Sequence, residues 1–294
     1  MGREIKAFNG GRAPAPVPPC RDSAPIRRLA KALFNRPWVM GVLGRCGVRG
    51  LVWRAFCRLL GPGGGILTLE LGAQRARFYV YSDWVAADLR TFGGEEKLLH
   101  CLVSILKPGD VVYDVGAQMG LYSVFLGQAV GAGGQIIAFE PEPHQCERLR
   151  GNVALNGLRN VRVCRVALGD CACESELLPS EIGAGHRLAQ VAGRGGTGLK
   201  VQVVQGDRLV ETENLPQPRA VKIDVEGHEY AVLRGLRQTL SNPLCQIVCC
   251  EVHPRFLPGG VGPDNILGLL RSCGYTRCDI LPRPPDQHIL AFKE

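Results

Sequence analysis

The chain has 294 residues, of which 46% are hydrophobic and 21% charged, a composition that is typical of a globular protein and excludes a disordered one. Its formal charge of +8 is unevenly spread, because residues 1–60 hold twelve of the 35 Lys and Arg residues but only two of the 27 Asp and Glu residues. That segment therefore carries +10 and the rest of the chain −2, which argues against a nucleic-acid enzyme with a basic active face.

The cysteines and the apolar segments indicate the compartment in which the chain works. Several of the 13 Cys residues lie inside apolar runs, and no two of them are spaced as Cys-x-x-Cys. This pattern favours buried free thiols in a reducing environment. No run of about 18 uncharged apolar residues indicates a transmembrane helix, and the first residues lack the apolar core of a secretory signal. We therefore expect a cytoplasmic protein.

The N-terminal part is predicted to lie outside the main domain. Residues 1–25 contain five prolines and are predicted to form a disordered tail. Residues 26–60 place apolar residues at helical spacing with Arg and Lys between them, which predicts basic amphipathic helices. Residues 66–81 alternate as a β-hairpin does. Residues 26–94 are thus predicted to form a cap, which either packs on the domain or makes peripheral membrane contact through residues 26–60.

Residues 95–294 alternate between strand and helix patterns. The alternation predicts an α/β domain with a doubly wound, mostly parallel sheet, and the last two strands are expected to be antiparallel because a short turn joins them. Residues 171–200 are predicted to be loop or short strands. The predicted helices are 95–106, 120–130, 142–156, 229–240 and 264–273, and the predicted strands begin at residue 111 and continue with 135–140, 161–168, 200–204, 220–225, 246–253, 277–281 and 288–292.

The stretch from Val111 to Gly120, VVYDVGAQMG, is predicted to form a buried strand, a tight turn and the start of a helix. Ligands of doubly wound sheets bind at the carboxyl ends of the strands, where such a turn exposes bare backbone. The dinucleotide fingerprint requires a glycine at the position of Gln118, so that a pyrophosphate can approach the helix. The turn therefore favours a cofactor with a positive centre and no pyrophosphate, such as S-adenosyl-L-methionine.

Two acids at the ends of strands are the first cofactor-binding candidates. Asp114 comes directly before the turn, where it can contact the positively charged methionine end, either directly or through water. Glu140 ends the next predicted strand, where an acid can accept hydrogen bonds from ribose hydroxyls. NAD would use the acid at Glu140 in the same way, so an NAD-dependent oxidoreductase stays open as an alternative.

The catalytic candidates follow the next two long strands. The segment KIDVEGHE alternates so that Asp224 and Glu226 share one side, where they can orient a substrate hydroxyl and accept its proton. Asp224 is predicted to be the base, assisted by Glu226 or by His253, and His228 is a further candidate. Such residues also bind divalent ions, but the sequence shows no defined ligand spacing, so no metal site is predicted.

Together these motifs resemble the FkbM-type family of S-adenosylmethionine-dependent methyltransferases. The resemblance covers about residues 94–280 and rests on LKPGDVVYDVGAQMGLYS, IIAFEPEP, ERLRGNVALNGLRNVRVCRVALGD, VKIDVEGHEYAVLRGL and EVHP, in this order. It implies a class I methyltransferase fold and O-methylation of a sugar, glycan or natural-product hydroxyl, with Asp224 and Glu226 on the substrate side. The cofactor-binding residues that it implies are Asp114, Gly116, Ala117, Gln118, Gly120, Glu140, Ala167 and Leu168.

Other interpretations of the same residues stay open. Lys222 can simply neutralise the acids beside it, and Glu229 can serve only as a first-turn acid that interacts with the helix dipole. The family's usual Leu-Asp-Asp segment is reduced here to Gly206-Asp207-Arg208, in the region expected to bind the acceptor. The alternative from another class is a non-catalytic module that holds a membrane or a nucleic acid through residues 1–60, although we expect a small-molecule or glycan acceptor and no nucleic-acid partner.

Overall fold

A computed structural model describes residues 65–81, 83–179, 186–188 and 198–294. The predicted tail of residues 1–25 and the basic helices of residues 26–60 lie outside these ranges. The helices are α1 Asp83–Arg90, α2 Glu96–Ile105, α3 Leu121–Val130, α4 Pro143–Leu155, α5 Gly206–Thr212, α6 Glu229–Gly235, α7 Arg237–Ser241 and α8 Pro263–Ser272. The strands are β1 Ile66–Leu71, β2 Gln74–Tyr79, β3 Val111–Val115, β4 Gln135–Phe139, β5 Val161–Cys164, β6 Ala167–Gly169, β7 Cys173–Pro179, β8 His186–Leu188, β9 Leu199–Gln205, β10 Ala220–Ile223, β11 Ile247–Val252, β12 Arg277–Arg283 and β13 Asp286–Phe292.

A seven-stranded sheet with the order β12-β13-β11-β10-β3-β4-β5 forms the centre of the domain. Strands β3, β4, β5, β10 and β11 are parallel to one another, whereas β13 is antiparallel to both of its neighbours. The chain passes from β3 outwards through β4 and β5 and then returns to β10 on the other side of β3. The topological switch point therefore lies between β3 and β10. This order is the class I methyltransferase arrangement, so the predicted fold class is confirmed.

The central strands are buried on both faces, as expected for a parallel sheet that helices cover. Every residue of β10 and β11 is buried, and in β3 and β4 every residue after the first. One apolar core lies among the hairpin β1–β2 and helices α1 to α4, and the other among α5 to α8. The hairpin is also bonded to α4, because the Asn152 side chain accepts the Tyr79 N–H at 2.9 Å. The predicted hairpin thus forms part of the main core.

The prediction of one strand over residues 161–168 is wrong. The chain leaves the central sheet after Cys164, and residues 167–169 pair instead with β9 in a second sheet of order β6-β9-β7-β8. The two sheets share no strand. The first four residues of the run VRVCRVAL pair in the central sheet, and its last two residues pair in the second sheet. Of the open alternatives for residues 171–200, the described part adopts strands, and β7 pairs antiparallel with both β8 and β9.

The predicted helix over residues 229–240 is interrupted at Leu236, where α6 ends and α7 begins. The cause is Asp207, whose carboxylate accepts the backbone N–H groups of Gln238 and Thr239 at 2.7 and 2.9 Å and so caps a new helix. Asp207 lines neither of the cavities described below, and its place in the acceptor region stays a prediction. The sequence analysis also missed α1 and α5.

None of the helices in the part of the chain that the structure describes is both long and apolar enough to cross a membrane. Peripheral contact through residues 26–60 stays a prediction, because that segment lies outside the described ranges. The expected boundary between a cap and a main domain at residues 94 and 95 likewise stays a prediction.

The close contact between α6 and β6 generates the first prediction. A Cβ atom on Gly235 would lie 1.8 Å from the backbone oxygen of Gly169, whereas a Cβ atom on Gly268, inside α8, would meet nothing within 4 Å. We expect Gly235→Ala to lower the free energy of unfolding by about 1–3 kcal/mol through overpacking. Gly268→Ala, the matched control, should raise it by roughly 0.5–1 kcal/mol. Urea unfolding measures both, and equal effects would contradict the described contact.

Candidate functional site

The carboxyl ends of β3, β4, β10 and β11 open onto two adjoining cavities. The smaller cavity has a volume of about 50 Å³ and the larger one of about 370 Å³. Because the two cavities share part of their walls, a group in one lies next to a group in the other. The residues that line both are Gly116, Gln118, Gln145, Asp224 and Glu226.

The turn after β3 forms part of the wall that the cavities share. Gly116 has a φ of +78° and packs so close to the neighbouring strand that a Cβ atom there would lie 1.8 Å from the backbone oxygen of Asp224, so only glycine fits. Gln118 has a φ of +48°, which is uncommon for a residue with a side chain. Its N–H donates to Glu140 Oε2 at 2.8 Å, and this hydrogen bond ties the turn to the end of β4.

Glu140 lines the smaller cavity and is almost fully buried. Its carboxylate accepts hydrogen bonds from the backbone N–H groups of Gln118 and Glu142, and burial raises the pKa of Glu140 to about 7. Ala167 and Leu168 line the same cavity. A narrow, mostly apolar cavity with an acid at the end of β4 suits a nucleoside, because the ribose hydroxyls can donate to Glu140 while the base contacts apolar side chains.

His228 also lines the smaller cavity and not the larger one, whereas His253 lines only the larger one, so the two histidines lie in different cavities. Its buried Nε2 atom has no hydrogen-bond partner among the described residues. Burial lowers the pKa of His228, which keeps the ring neutral. The ring nitrogen is thus a buried polar atom without a partner in the wall of the smaller cavity.

Lys222 and Asp114 form a buried ion pair between β10 and β3. They are register partners in the two strands, and Lys222 Nζ lies 3.6 Å from Asp114 Oδ1 and 3.4 Å from Asp224 Oδ2. The same ammonium donates to the Gly116 backbone oxygen at 3.2 Å. Although burial lowers the pKa of Lys222, the Asp224 and Asp114 carboxylates outweigh this effect and raise it above its usual value. The interpretation that Lys222 neutralises the neighbouring acids is therefore supported.

Asp114 and Gly120 lie behind the turn and line neither cavity, whereas Ala117 lines the larger one. Asp114 is fully buried, and its Oδ2 atom accepts a hydrogen bond from Ser123 Oγ at 2.6 Å. Gly120 has a φ of +91° directly before α3. Both residues thus hold the turn in place from behind, and contact between Asp114 and a cofactor stays a prediction.

Glu226 lines both cavities at the end of β10. It has a φ of +52°, and strained backbone in residues with side chains is concentrated at functional sites. Burial raises the pKa of Glu226 to about 7. A carboxyl group that titrates near neutral pH is suited to accept a proton from a substrate. Asp224, in contrast, is occupied by its ion pair with Lys222.

His253 follows β11 and is held by Glu229 at the start of α6. The Nδ1 atom of His253 lies 2.6 Å from Glu229 Oε1, so Nε2 is directed away from Glu229. Nε2 lies 3.9 Å from both Asp224 Oδ1 and Glu226 Oε2. Burial lowers the pKa of His253, but the hydrogen bond to Glu229 and the charge of Asp224 outweigh burial and raise the pKa to about 9. The structure thus brings the three predicted catalytic residues together.

A second charged network lies beside them, at the ends of β11 and of the β12–β13 hairpin. Glu251 is bonded to the Arg283 guanidinium, which also donates to the Gly93 backbone oxygen. His288 Nε2 lies 2.7 Å from Glu95 Oε1 and 3.5 Å from Glu251 Oε2. Burial lowers the pKa of His288, but its interactions with Glu251 and Glu95 raise it to about 9. The cations of this network balance its two acids.

Sequence reasoning missed several of these functional neighbours. It interpreted Glu229 only as a first-turn acid, although the structure shows it to be the partner of His253. A signal existed, because Glu229 and His253 each closely follow one of two strands that were predicted to be parallel. Glu95 and Arg283 gave no such signal, since neither belongs to a motif and they lie far apart in the chain. Their role depends on the antiparallel C-terminal strands.

Comparison with known proteins identifies relatives of this chain. The sequence model of the Methyltransferase FkbM domain matches residues 114–277. Hexuronic acid methyltransferase AglP of Haloferax volcanii is 31% identical over 204 residues, which cover 68% of this chain and 78% of that protein. The 31-O-demethyl-FK506 methyltransferase FkbM of Streptomyces tacrolimicus is 28% identical over 201 residues, with 58% and 74% covered.

Solved structures with a similar fold are more distant in sequence. Precorrin-6y C5,15-methyltransferase of Geobacter metallireducens is 14% identical with a TM-score of 0.42, and the alignment covers 68% of this chain and 89% of that one. A Streptococcus mutans protein that was solved in complex with SAH is 11% identical with a TM-score of 0.44, with 68% and 97% covered. At this level of similarity they carry no information about the substrate.

The buried ion pair generates the second prediction. Lys222→Met leaves the Asp114 carboxylate buried without its cation, so we expect the free energy of unfolding to fall by about 3–5 kcal/mol. The double variant Lys222→Met/Asp114→Asn should recover part of this loss, because the unpaired charge is removed. Lys200→Met is the matched control: Lys200 pairs with Glu174 on the surface, and such pairs contribute little. Chemical unfolding of the four proteins checks the prediction, and no recovery in the double variant would contradict it.

Proposed function

Because this chain belongs to the FkbM methyltransferase family, we propose that it transfers a methyl group from S-adenosyl-L-methionine to a hydroxyl of a sugar, glycan or natural product. The observation that carries the proposal is the pair of adjoining cavities, one narrow and apolar and the other larger and polar, with Asp224 and Glu226 in the wall that they share. A donor in the first cavity would present its reactive group to an acceptor in the second. Such positioning is the main requirement of an in-line transfer.

The residues of the smaller cavity fit this cofactor. Glu140 offers a carboxylate for the ribose hydroxyls, and the unpartnered Nε2 atom of His228 offers a polar contact for the base. The close packing of Gly116 leaves bare backbone where the chain of the methionine part would pass. When bound, the cofactor supplies an electrophilic methyl group on a positively charged sulfur. The buried acids nearby would stabilise that charge.

The acceptor would lie in the larger cavity with its hydroxyl beside Glu226. No Lys or Arg side chain is paired with Glu226 in the described part of the chain, whereas Asp224 is held by Lys222. We therefore assign proton acceptance to Glu226, with Asp224 and His253 orienting the hydroxyl. As the new carbon–oxygen bond forms and the carbon–sulfur bond breaks, the proton of the hydroxyl goes to the Glu226 carboxylate. This assignment refines the expectation that Asp224 is the base.

The relatives guide the choice of acceptors for a direct test. One is named for a hexuronic acid and the other for demethylated FK506, and hydroxyl groups are common to both kinds of molecule. Purified protein with methyl-labelled cofactor should methylate a member of a panel that contains uronic-acid saccharides and macrolides, detected by mass spectrometry. Thermal shift with S-adenosylhomocysteine and with NADH provides an independent check. Stabilisation by NADH alone would favour an oxidoreductase and overturn the proposal.

The third prediction concerns the base. We expect Glu226→Gln to lower kcat by about 10²–10⁴-fold, the usual contribution of general base catalysis, because the amide cannot take the proton. The affinity for S-adenosylhomocysteine, measured by calorimetry, should stay close to that of the wild type. Glu213→Gln, which changes an exposed acid paired with Arg162, is the matched control for kcat. A variant that retains full turnover would exclude Glu226 as the base.

The fourth prediction concerns pH. Burial raises the pKa of Glu140 to about 7, so the carboxylate form that accepts hydrogen bonds from ribose hydroxyls predominates only above that pH. The affinity for S-adenosylhomocysteine should therefore be about tenfold weaker at pH 6 than at pH 8. In Glu140→Gln the affinity should be low at both values, because the charge is absent throughout. Calorimetry measures both proteins, and an equal pH dependence in the variant would show that another group is responsible.

A further inference from the structure

Three side chains in the larger cavity direct possible metal-ligand atoms towards one point. Asp224, Glu251 and His253 each offer one such atom, and these atoms all lie within 4.8 Å of one another. His253 Nε2 is 3.9 Å from Asp224 Oδ1 and 3.7 Å from Glu251 Oε1. Glu226 Oε2 is also 3.9 Å from Nε2. One nitrogen and several oxygens therefore lie close together.

These separations leave room for an ion. A divalent cation lies about 2.0–2.3 Å from each nitrogen or oxygen ligand, so two of its ligands are commonly about 3–4 Å apart. The distances of 3.7 and 3.9 Å at His253 fall in this range and are too long for hydrogen bonds. Glu251 Oε1 is also bonded to the Arg283 guanidinium, so an ion would share this oxygen with Arg283. In the neighbouring group of Glu95, Glu251 and His288, two possible ligands are in direct contact, because His288 Nε2 lies 2.7 Å from Glu95 Oε1.

The imidazole of His253 is held as a metal ligand would be. Its Nδ1 atom is bonded to the buried Glu229 carboxylate at 2.6 Å, and metal-binding histidines nearly always donate their second ring nitrogen to such an acceptor. Because Nδ1 is engaged by this bond, Nε2 is the ring atom left to bind an ion once it has lost its proton, and it is the atom that faces Asp224 and Glu251. The two carboxylate oxygens of Asp224 have different neighbours. Oδ2 is the atom nearest Lys222, and Oδ1 is the atom nearest His253.

A second, independent observation points to a ligand at this place. Tyr122 is only 4% exposed and lines the larger cavity, yet its hydroxyl has no hydrogen-bond partner among the described residues. A buried hydroxyl without a partner is costly, and a hydrated ion or its bound substrate would satisfy it. The side chains around the site also include more carboxylates than basic groups. The carboxylates are Glu95, Asp114, Asp224, Glu226, Glu229 and Glu251, and the basic side chains paired with them are Lys222, His253, Arg283 and His288.

We propose that Asp224, Glu251 and His253 form a binding site for a divalent cation such as Mn²⁺ or Mg²⁺. A set of carboxylate oxygens with one imidazole nitrogen suits these ions. The role of the site rests on the proposed function: the cation would hold the acceptor hydroxyl beside Glu226 and make its proton easier to remove. Glu226 then takes that proton, so the same atoms are transferred as in the reaction described above.

The experiment uses the whole chain, freed of metal by a chelator and then dialysed. Titration with Mn²⁺ alone, followed by calorimetry and by electron paramagnetic resonance, should show one saturable site per chain with a histidine nitrogen bound to the ion. His253→Gln and Asp224→Asn should abolish the site. Their matched controls are His100→Gln and Asp279→Asn, which change exposed residues outside the cavity and should bind Mn²⁺ like the wild type.

Glu229→Gln separates a positioning residue from a ligand. The variant should still bind Mn²⁺ but about 10- to 100-fold more weakly, which is the usual effect of losing the partner of a metal-binding histidine. Wild-type protein that takes up no Mn²⁺, or uptake that His253→Gln leaves unchanged, would overturn the metal site. Binding of S-adenosylhomocysteine is measured on the same samples. Its absence would count against the proposed function, whereas its presence without Mn²⁺ uptake would count against the metal site alone.

Discussion

The site depends on the ion pairs and the hydrogen bond that the ammonium group of Lys222 forms. This group lies at the topological switch point, where β10 meets β3, and it contacts Asp114, Asp224 and the backbone oxygen of Gly116. A charge buried this deeply is tolerated only when opposite charges and acceptors surround it. The residue therefore fixes the turn after β3 relative to the acids after β10. These two segments provide the wall between the cavities, so one buried cation sets the distance across which the proposed transfer occurs.

The same constraint explains why the acids of the site differ in character. Asp224 is paired with Lys222, whereas Glu226, two residues later, is outside that ion pair and has a pKa raised to about 7 by burial. His253 is fixed by Glu229 from the opposite side. One strand end thus carries an acid that is bound in an ion pair next to one that can exchange a proton near neutral pH. That division of roles suits a site that must both hold and deprotonate a hydroxyl.

Local patterns in the sequence predicted the central strands β3 and β4 and the turn after β3 correctly, because long apolar runs and glycines with positive φ determine them directly. The positions Val111–Val115 and Gln135–Phe139 are examples. The errors arose where contacts between distant segments decide the outcome. Asp207 ends α6 at Leu236 by capping the next helix, which no pattern within residues 229–240 reveals. The partnership of Glu229 with His253 likewise depends on how two strands are placed side by side.

The two cavities differ in how much of their walls lies in the region that the FkbM domain matches. Every residue that lines the smaller cavity lies within residues 114–277, which the FkbM domain matches. The larger cavity also takes its walls from α1, from the segment Phe92–Gly94 and from the turn at residues 283–286, all outside that match. Selection for binding of one cofactor would preserve the residues that line the smaller cavity. A change of acceptor would require substitutions only in the walls of the larger cavity that lie outside the match. Family membership is therefore a stronger guide to the methyl donor than to the acceptor.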